Sequence, residues 1–327
     1  MNIAAEWNHK IFNNSSEDFR GLALDIFNYQ YRGNLIYRQF ADAIGRGPST
    51  VREIADIPFL PVRFFKSHEI KTGKFEAQAI FESSGTTGMI NSMHYIKETS
   101  IYEESFLRGF ELAYGSPDQW CVLGLLPSYL ERGNSSLVYM TDQLIKKSGH
   151  PHSGSYLNNL EELSQVLMQL KEQKQKVFLI SVTFALIELA NKFPLELDNI
   201  VIVETGGMKG RGKEMIREEL HEVLKKAFNV SHIHSEYGMT ELLSQAWSKG
   251  EGIFTCPPWM KIVCRDEEDP LTVRLRGKGA LNIIDLANVH SCSFIATDDA
   301  GKVYDDGSFE VLGRMDGSDL RGCSMLY

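Results

Sequence analysis

Residues able to do chemistry first gather at Phe81-Glu82-Ser83-Ser84-Gly85-Thr86-Thr87-Gly88. From Ser83 to Gly88 every residue is a hydroxyl or a glycine. Glycine lets the backbone turn its N–H groups toward one point, and Ser and Thr add donors without bulk, so such a loop cradles phosphate oxygens. It is not a Walker loop, because no Gly-Lys-Ser/Thr follows. The plainer alternative is a polar hairpin turn. A second set is Ser235-Glu236-Tyr237-Gly238-Met239-Thr240-Glu241. An aromatic ring there can lie on a purine, a hydroxyl can reach a phosphate, and a carboxylate can hold Mg²⁺. The alternative is a loop opening a helix at Thr240. The third set is Thr297-Asp298-Asp299-Ala300-Gly301 followed by Gly313-Arg314-Met315-Asp316. A carboxylate can accept from both ribose hydroxyls and an Arg adds a donor; the alternative is a pair of β-turns.

The elements that must position these residues follow from periodicity. Ala77 to Phe81 is apolar and Met89 to Ile96 alternates, so the first loop joins two strands. Residues 15–44 carry apolar residues at helical spacing until Gly45-Arg46-Gly47-Pro48 stops them. Residues 54–66, with Pro58 and Pro61, form an extended stretch lying against a core. Ser100 and Glu103 have the spacing of a capping box and open a helix bearing Tyr102, Phe106, Phe110 and Ala113. Then come a strand at 120–126, helices at 137–147 and 160–171, a strand at 177–182 and a helix at 184–192. A strand at 200–203, a helix at 213–228 and a short strand at 231–235 complete the run. Alternating strand and helix predicts an α/β fold with a mainly parallel sheet flanked by helices. From Cys256 the texture turns to short alternating runs between Asp/Gly turns, which predicts a division into residues 1–255 and a β-rich subdomain, 256–327.

The chain has 327 residues, 43% hydrophobic and 24% charged, which suits a globular protein large enough for several layers or two domains. Its net charge of −9 argues against nucleic acid as a partner. The five cysteines, Cys121, Cys256, Cys264, Cys292 and Cys323, are odd in number and form no Cys-x-x-Cys pair. No disulfide framework or zinc site is implied, and a reducing cytoplasm is expected. No signal peptide opens the chain, and no apolar run reaches membrane-spanning length. His232-x-His234 and His150-x-His152 each offer two metal ligands with no third in view.

In this order the motifs resemble those of the adenylate-forming superfamily of acyl-CoA synthetases, adenylation domains and firefly-type luciferases. Ser83 to Gly88 matches its phosphate loop, and Glu204-Thr205-Gly206-Gly207 is similar to the strand end bordering the acyl pocket and adenine. Tyr237-Gly238-Met239-Thr240-Glu241 matches Tyr-Gly-x-Thr-Glu, Thr297-Asp298-Asp299 matches Thr-Gly-Asp, and Gly313-Arg314-Met315-Asp316 matches the hinge motif. Within the superfamily the chain is most similar to LuxE-like acyl-protein synthetases. Asp56-Ile57-Pro58-Phe59-Leu60-Pro61 with Phe65-Lys66, and the ending Asp319-Leu320-Arg321-Gly322-Cys323-Ser324, carry that closer likeness.

The resemblance implies ATP-dependent activation of a carboxylic, fatty-type acid to an acyl-adenylate, then transfer to a thiol. It places Ser83, Ser84, Gly85, Thr86, Thr87 and Gly88 on the phosphates, and Gly206, Gly207, Tyr237 and Gly238 around adenine. Asp299 and Arg314 would hold the ribose, Thr240 a phosphate, and Glu241 Mg²⁺. Cys323 would take the acyl group as a thioester; alternatively it is an idle thiol, and coenzyme A or a carrier protein is the acceptor. An acyl-reductase is a further expected partner. The chain departs from the superfamily in having Met89-Ile90-Asn91-Ser92 where a Lys usually follows the loop. It also stops soon after Asp316, so no C-terminal lid with its Lys is expected. Lys209, Arg211 and Lys213 are candidate substitutes, or simply a solvated helix start. Ser128, Tyr129, Glu131 and Arg132 lie where relatives shape the acyl pocket.

Overall fold

A computed structural model describes residues 3–13, 18–83, 90–126, 133–198, 200–206 and 215–315. The chain begins with helices α1 (Ile3–Phe12), α2 (Phe19–Gly33) and α3 (Leu35–Ala43). The helical pattern read across 15–44 is thus broken at Asn34, whose side chain caps α3 by accepting from the Tyr37 amide at 3.0 Å. The proline-bearing stretch becomes β1 (Leu60–Pro61) and a single turn, α4 (Phe64–Ser67). A hairpin of β2 (Ala79–Glu82) and β3 (Met93–Ile96) forms its own two-stranded antiparallel sheet.

Next come α5 (Thr99–Tyr114), β4 (Cys121–Leu125), α6 (Ser136–Ser148), β5 (Gly154–Ser155) and α7 (Leu160–Glu172). They are followed by β6 (Val177–Ser181), α8 (Thr183–Lys192), β7 (Ile200–Glu204), α9 (Arg217–Phe228) and β8 (His234–Tyr237). The predicted capping box at Ser100 and Glu103 does not form. The Thr99 amide at the head of α5 donates to the Gln78 side chain at 2.8 Å, and Glu103 instead accepts from the Tyr139 hydroxyl. The last parallel strand lies three residues later than the periodicity placed it, so Tyr237 is on the strand and not in a loop beyond it. No helix opens at Thr240; that residue begins a turn leading to β9 (Ala246–Ser248).

The remainder is β-rich: β10 (Ile253–Thr255), β11 (Met260–Arg265), β12 (Val273–Arg274), β13 (Gly277–Asp285), β14 (Phe294–Val303) and β15 (Phe309–Arg314). Among the described residues these strands join the earlier ones in a single 13-stranded sheet, in the order β12-β11-β13-β14-β15-β10-β9-β8-β7-β6-β4-β5, with β1 added on β14. From β5 through β8 every pairing is parallel, with helices as the crossovers; from β8 to β12 every pairing is antiparallel. The parallel half explains its own sequence. Cys-Val-Leu-Gly-Leu in β4 and Val-Phe-Leu-Ile-Ser in β6 are wholly buried, as strands covered on both faces must be. One cover is α5, whose Phe110 and Tyr114 meet Phe178 of β6 and Trp247 of β9 edge-on. Among the described residues no helix is long and apolar enough to cross a membrane.

The motif Thr297-Asp298-Asp299 lies on β14 and is not the β-turn that its composition also allowed. Ala280 of β13 pairs with Ala300, and Asn282 with Ala296, so Thr297, Asp298 and Asp299 bulge opposite Leu281 alone. Gly301, just past the bulge, has no room for a side chain: a Cβ would lie 2.3 Å from the Glu310 carbonyl oxygen. Gly301→Ala is therefore expected to lower stability by roughly 1–3 kcal/mol, read as a reduced urea midpoint with an unchanged slope.

Candidate active site

The carboxyl ends of the parallel strands, at Leu125, Ser181, Glu204 and Tyr237, form the edge where an open α/β sheet offers its binding crevice. Tyr237 reaches from this edge to the antiparallel half: its hydroxyl donates to Asp299 Oδ2 at 2.8 Å. Asp299 and Arg314 are direct partners across β14 and β15, with Arg314 Nε 3.8 Å from Asp299 Oδ1. Arg314 Nη2 also donates to Asp298 Oδ2 at 3.1 Å, and its side chain is only 5% exposed. Two motifs that are far apart in sequence from Tyr237 thus share one cluster with it. The Tyr237 ring is held by edge contacts with Phe254 and Phe309.

Thr240 and Glu241 are tied in from another side. His94 of β3 lies 2.8 Å from the Thr240 carbonyl through Nδ1, and since a carbonyl only accepts, Nδ1 is the protonated nitrogen. Burial pushes the His94 pKa down to about 4, so the ring is neutral near pH 7. The Glu241 side chain is buried, and its carbonyl accepts from Asn288 at 2.6 Å. Asp285 fixes the residues that follow, accepting from the Leu243 and Ser244 amides at 2.7 and 3.0 Å. Burial pushes the Asp285 carboxyl up to about 6 against those hydrogen bonds.

Ser83 closes the base of the β2–β3 loop, its hydroxyl oxygen accepting from the Ser92 amide at 2.8 Å. Ser84, Gly85, Thr86, Thr87 and Gly88 lie outside the described residues, as do Gly207, Lys209, Arg211, Lys213, Asp316 and Cys323. The segment with Ser128, Tyr129, Glu131 and Arg132 lies outside them too. Gly206 is described: at φ +72° it takes the left-handed region that suits glycine, and its amide donates to Glu204 Oε2 at 2.7 Å. Gly238 follows Tyr237 where a Cβ would lie 2.3 Å from Glu236 Oε1. Cys121, Cys264 and Cys292 are buried, and burial pushes the thiols of Cys121, Cys256 and Cys292 up to about 11, 12 and 12, as expected of packed, inert cysteines.

Two residues near this cluster, Arg63 and His94, carried no motif signal, and the side chain of a third, Glu204, received no role from the motif it opens. Arg63 arrives through β1, whose parallel register sets Leu60 beside Ile295 and Pro61 beside Ala296; the next steps bring Arg63 Nη2 to 3.6 Å from Asp298 Oδ1. His94 is an isolated histidine in an alternating strand, and only the contact with Thr240 marks it. Glu204 is an acid at the end of an apolar strand, a pattern that does hint at a site. Its carboxylate lies 3.6 Å from His221 Nε2 and 3.8 Å from Arg217 Nε. Burial works to raise its pKa, and His221, Arg217 and Ser235 overcome that, holding it down to about 2.

Residues 6–128 match the family described as acyl-protein synthetase, LuxE. The chain resembles the LuxE acyl-protein synthetases. It is 22% identical to the long-chain-fatty-acid–luciferin-component ligase of Vibrio harveyi over 93% of this chain and 85% of that one. It is also 22% identical to the ligase of the same name from Aliivibrio fischeri, over 99% and 91%. Among solved structures, ATP-bound MatB from Rhodopseudomonas palustris aligns with a TM-score of 0.52 at 17% identity, over 74% of this chain and 49% of that one. An ATP-bound RpMatB-BxBclM chimera aligns at 0.53 and 18%, over 77% and 51%. The chain spans about half the length of those structures, and at such identity they bear on the fold alone: over the aligned part this chain shares their architecture.

Because the Glu204 pKa is depressed in the folded state, its stabilising effect is full above the ordinary value of 4.5 and is lost as pH falls toward 2. Glu204→Gln is expected to be less stable than the parent by roughly 2–3 kcal/mol at pH 7, with the gap closing at acid pH, in urea unfolding across a pH series.

Proposed function

We propose that this protein uses Mg·ATP to activate a long-chain carboxylic acid as an acyl-adenylate and then passes the acyl group to a thiol, with Cys323 as the first acceptor. The observation that carries this reading is the single cluster of Tyr237, Asp299 and Arg314 at the carboxyl edge of the parallel strands, tied through the 238–244 segment to the β2–β3 hairpin. The similarity to long-chain-fatty-acid ligases supports the same substrate class; a cytoplasmic setting is proposed from the odd, unpaired set of cysteines.

Tyr237, with Gly206, Gly207 and Gly238, forms the adenine side, and Asp299 with Arg314 holds the ribose. Ser83, Ser84, Thr86 and Thr87, with the Gly85 and Gly88 amides, take the phosphate oxygens, and Thr240 adds a hydroxyl. Glu241 is the candidate Mg²⁺ ligand: carboxylate and hydroxyl oxygens are the donors this hard cation takes. Among the described residues no group of three or more His, Cys, Asp or Glu side chains can hold a metal alone, which suits a cation shared between one carboxylate and substrate phosphates. When bound, Mg²⁺ neutralises charge developing on the phosphates. A carboxylate oxygen of the acid attacks the α-phosphorus, the bond to the bridging oxygen breaks, and pyrophosphate departs. The Cys323 thiol then loses its proton, its sulfur attacks the acyl carbon, and AMP leaves. Positioning and charge neutralisation are the protein's share of the first step. The thioester then supplies an acyl-reductase, a carrier protein or coenzyme A.

Intact-protein mass measured after incubation with Mg·ATP and a range of fatty acids tests this, with pyrophosphate followed in parallel. An acid-dependent adduct removed by hydroxylamine is expected, and pyrophosphate release without any adduct would move the acceptor to an outside thiol. Cys323→Ala is expected to keep acid-dependent pyrophosphate release and lose the adduct; a variant that still acylates itself would overturn the assignment. Glu241→Gln is expected to lower pyrophosphate release about 100-fold or more without loss of fold by circular dichroism.

A further inference from the structure

A cavity of about 610 Å³ lies between α5 and the β9–β10 hairpin, within the size of ordinary small-molecule sites. Strand register sets it apart from the Tyr237 cluster. Tyr237 pairs with Ala246 and Ser235 with Ser248, so Lys249 and Gly250, which line the cavity, lie at and beyond the amino end of β8. Tyr237 is at the carboxyl end of the same strand. His232, two residues before β8, closes this corner: a Cβ on Gly250 would lie 2.9 Å from its Nδ1. The walls are largely apolar, with Leu112 and Ala113 of α5, Ile253 of β10 and Pro258. Gly109 lines the cavity one helical turn before Leu112 and Ala113, inside α5, where glycine is a poorer helix former than alanine. A glycine in such a place usually makes way for a close neighbour. Here a Cβ would meet nothing outside its own stretch of helix within 4 Å, so the space beside Gly109 is open.

Three side chains on the cavity need an acceptor. Trp247 is 5% exposed, and its indole nitrogen, which only donates, is buried without a partner among the described residues. Lys249 stands at the rim with its ammonium 5.7 Å from the Tyr114 ring centre, and among the described residues no carboxylate pairs with it. The His232 ring has no hydrogen bond among the described residues either. Glu251, the acid among the lining residues, makes no ion pair with them, and its charge is felt by Lys225 of α9. The positive character of the corner shows on His234: burial, then the charges of Lys249, His232 and His221, hold its pKa down to about 4. We propose that this cavity is a second ligand site, separate from the Tyr237 cluster, and that it takes a carboxylate with a long apolar chain. The chain lies along Leu112, Ala113 and Ile253; the carboxylate meets Lys249 and His232 and accepts from the Trp247 N–H. An alcohol head can accept but leaves the Lys249 charge unmatched, and an ammonium head is repelled. Binding here needs no turnover, so the site stands apart from the acid-activation reading.

The test is titration calorimetry with tetradecanoate, tetradecanol and tetradecylamine on the parent protein, Gly109→Leu, Ala113→Leu and Lys249→Ala. Circular dichroism and the urea midpoint show which variants keep their fold, and acid-dependent pyrophosphate release is followed on each. The parent is expected to bind the carboxylate about 5-fold or more tighter than the alcohol and to give no heat with the amine. The two cavity-filling variants are expected to lose this binding, and Lys249→Ala to weaken it about 5-fold, all three retaining pyrophosphate release. Carboxylate binding unchanged in folded Gly109→Leu and Ala113→Leu would overturn the proposal. So would an absence of binding to the parent, or alcohol bound as tightly as carboxylate. Folded filling variants that lose binding and pyrophosphate release together would also overturn it, by placing the reaction's own acid here. A parent that releases no pyrophosphate, yet binds the carboxylate in a way the filling variants abolish, would remove the activation reading and leave this site standing.

Discussion

The buried guanidinium of Arg265 holds the bulge on which the candidate site is built. Where Thr297, Asp298 and Asp299 leave the ladder opposite Leu281, backbone carbonyls lose their strand partners. Arg265 donates to the Leu281 carbonyl at 3.0 Å and to the Asn282 side chain at 2.7 Å, and it also reaches the Thr297 carbonyl. The Thr297 hydroxyl adds a second donor to Leu281 at 2.8 Å and accepts from the Asp299 amide at 3.1 Å. Without those bonds, buried carbonyls would stand unpaired at a cost of about 1–3 kcal/mol each, and the strand would have no reason to bulge. With them, Asp298 and Asp299 both turn to Arg314. The threonine of the motif therefore works on its own backbone, while the aspartates face the site.

A second constraint joins the small hairpin sheet to the main one. β2 and β3 pair only with each other, so their position depends on side chains and on one backbone bond, from the Glu82 amide to the Asn134 carbonyl at 2.7 Å. Phe81 packs between Tyr102 and Tyr139, and His94 connects to the Thr240 carbonyl while Phe65 of α4 meets its ring edge-on. A shift of the hairpin would break a buried hydrogen bond at the very residues assigned to phosphate and metal. The acid-rich edge shows how differently similar groups behave. Glu204 is held charged by His221 and Arg217, whereas Glu236, one strand away and on the opposite face, has no cation and is held toward its neutral form.

The order of motifs, the α/β alternation and the short strands that follow Cys256 were legible because they rest on local pattern: period-two and helical spacing, and glycines and hydroxyls within a few residues; the change to antiparallel pairing comes earlier, where β9 joins β8. The helix broken at Asn34 and the absent capping box at Ser100 show where local pattern yielded to tertiary partners, here the Ser291 carbonyl, to which the Asn34 side chain donates, and the Gln78 side chain. The joining of both halves into one sheet was not legible, because pairing of β9 with β8 and of β10 with β15 is a matter of register between distant segments.

What the sequence by itself determined is the inventory: a hydroxyl-and-glycine loop, an aromatic and a carboxylate in one short motif, two aspartates, an arginine and a cysteine near the end. Residue type and short spacing suffice for that, since they limit which bonds a segment can make. What only the tertiary structure decided is which of these meet. Tyr237 bonds Asp299 across 62 positions, Arg63 reaches Asp298 through the β1 register, and His94 finds Thr240. Such meetings depend on strand register and on every element packed around a side chain, and on none of its sequence neighbours.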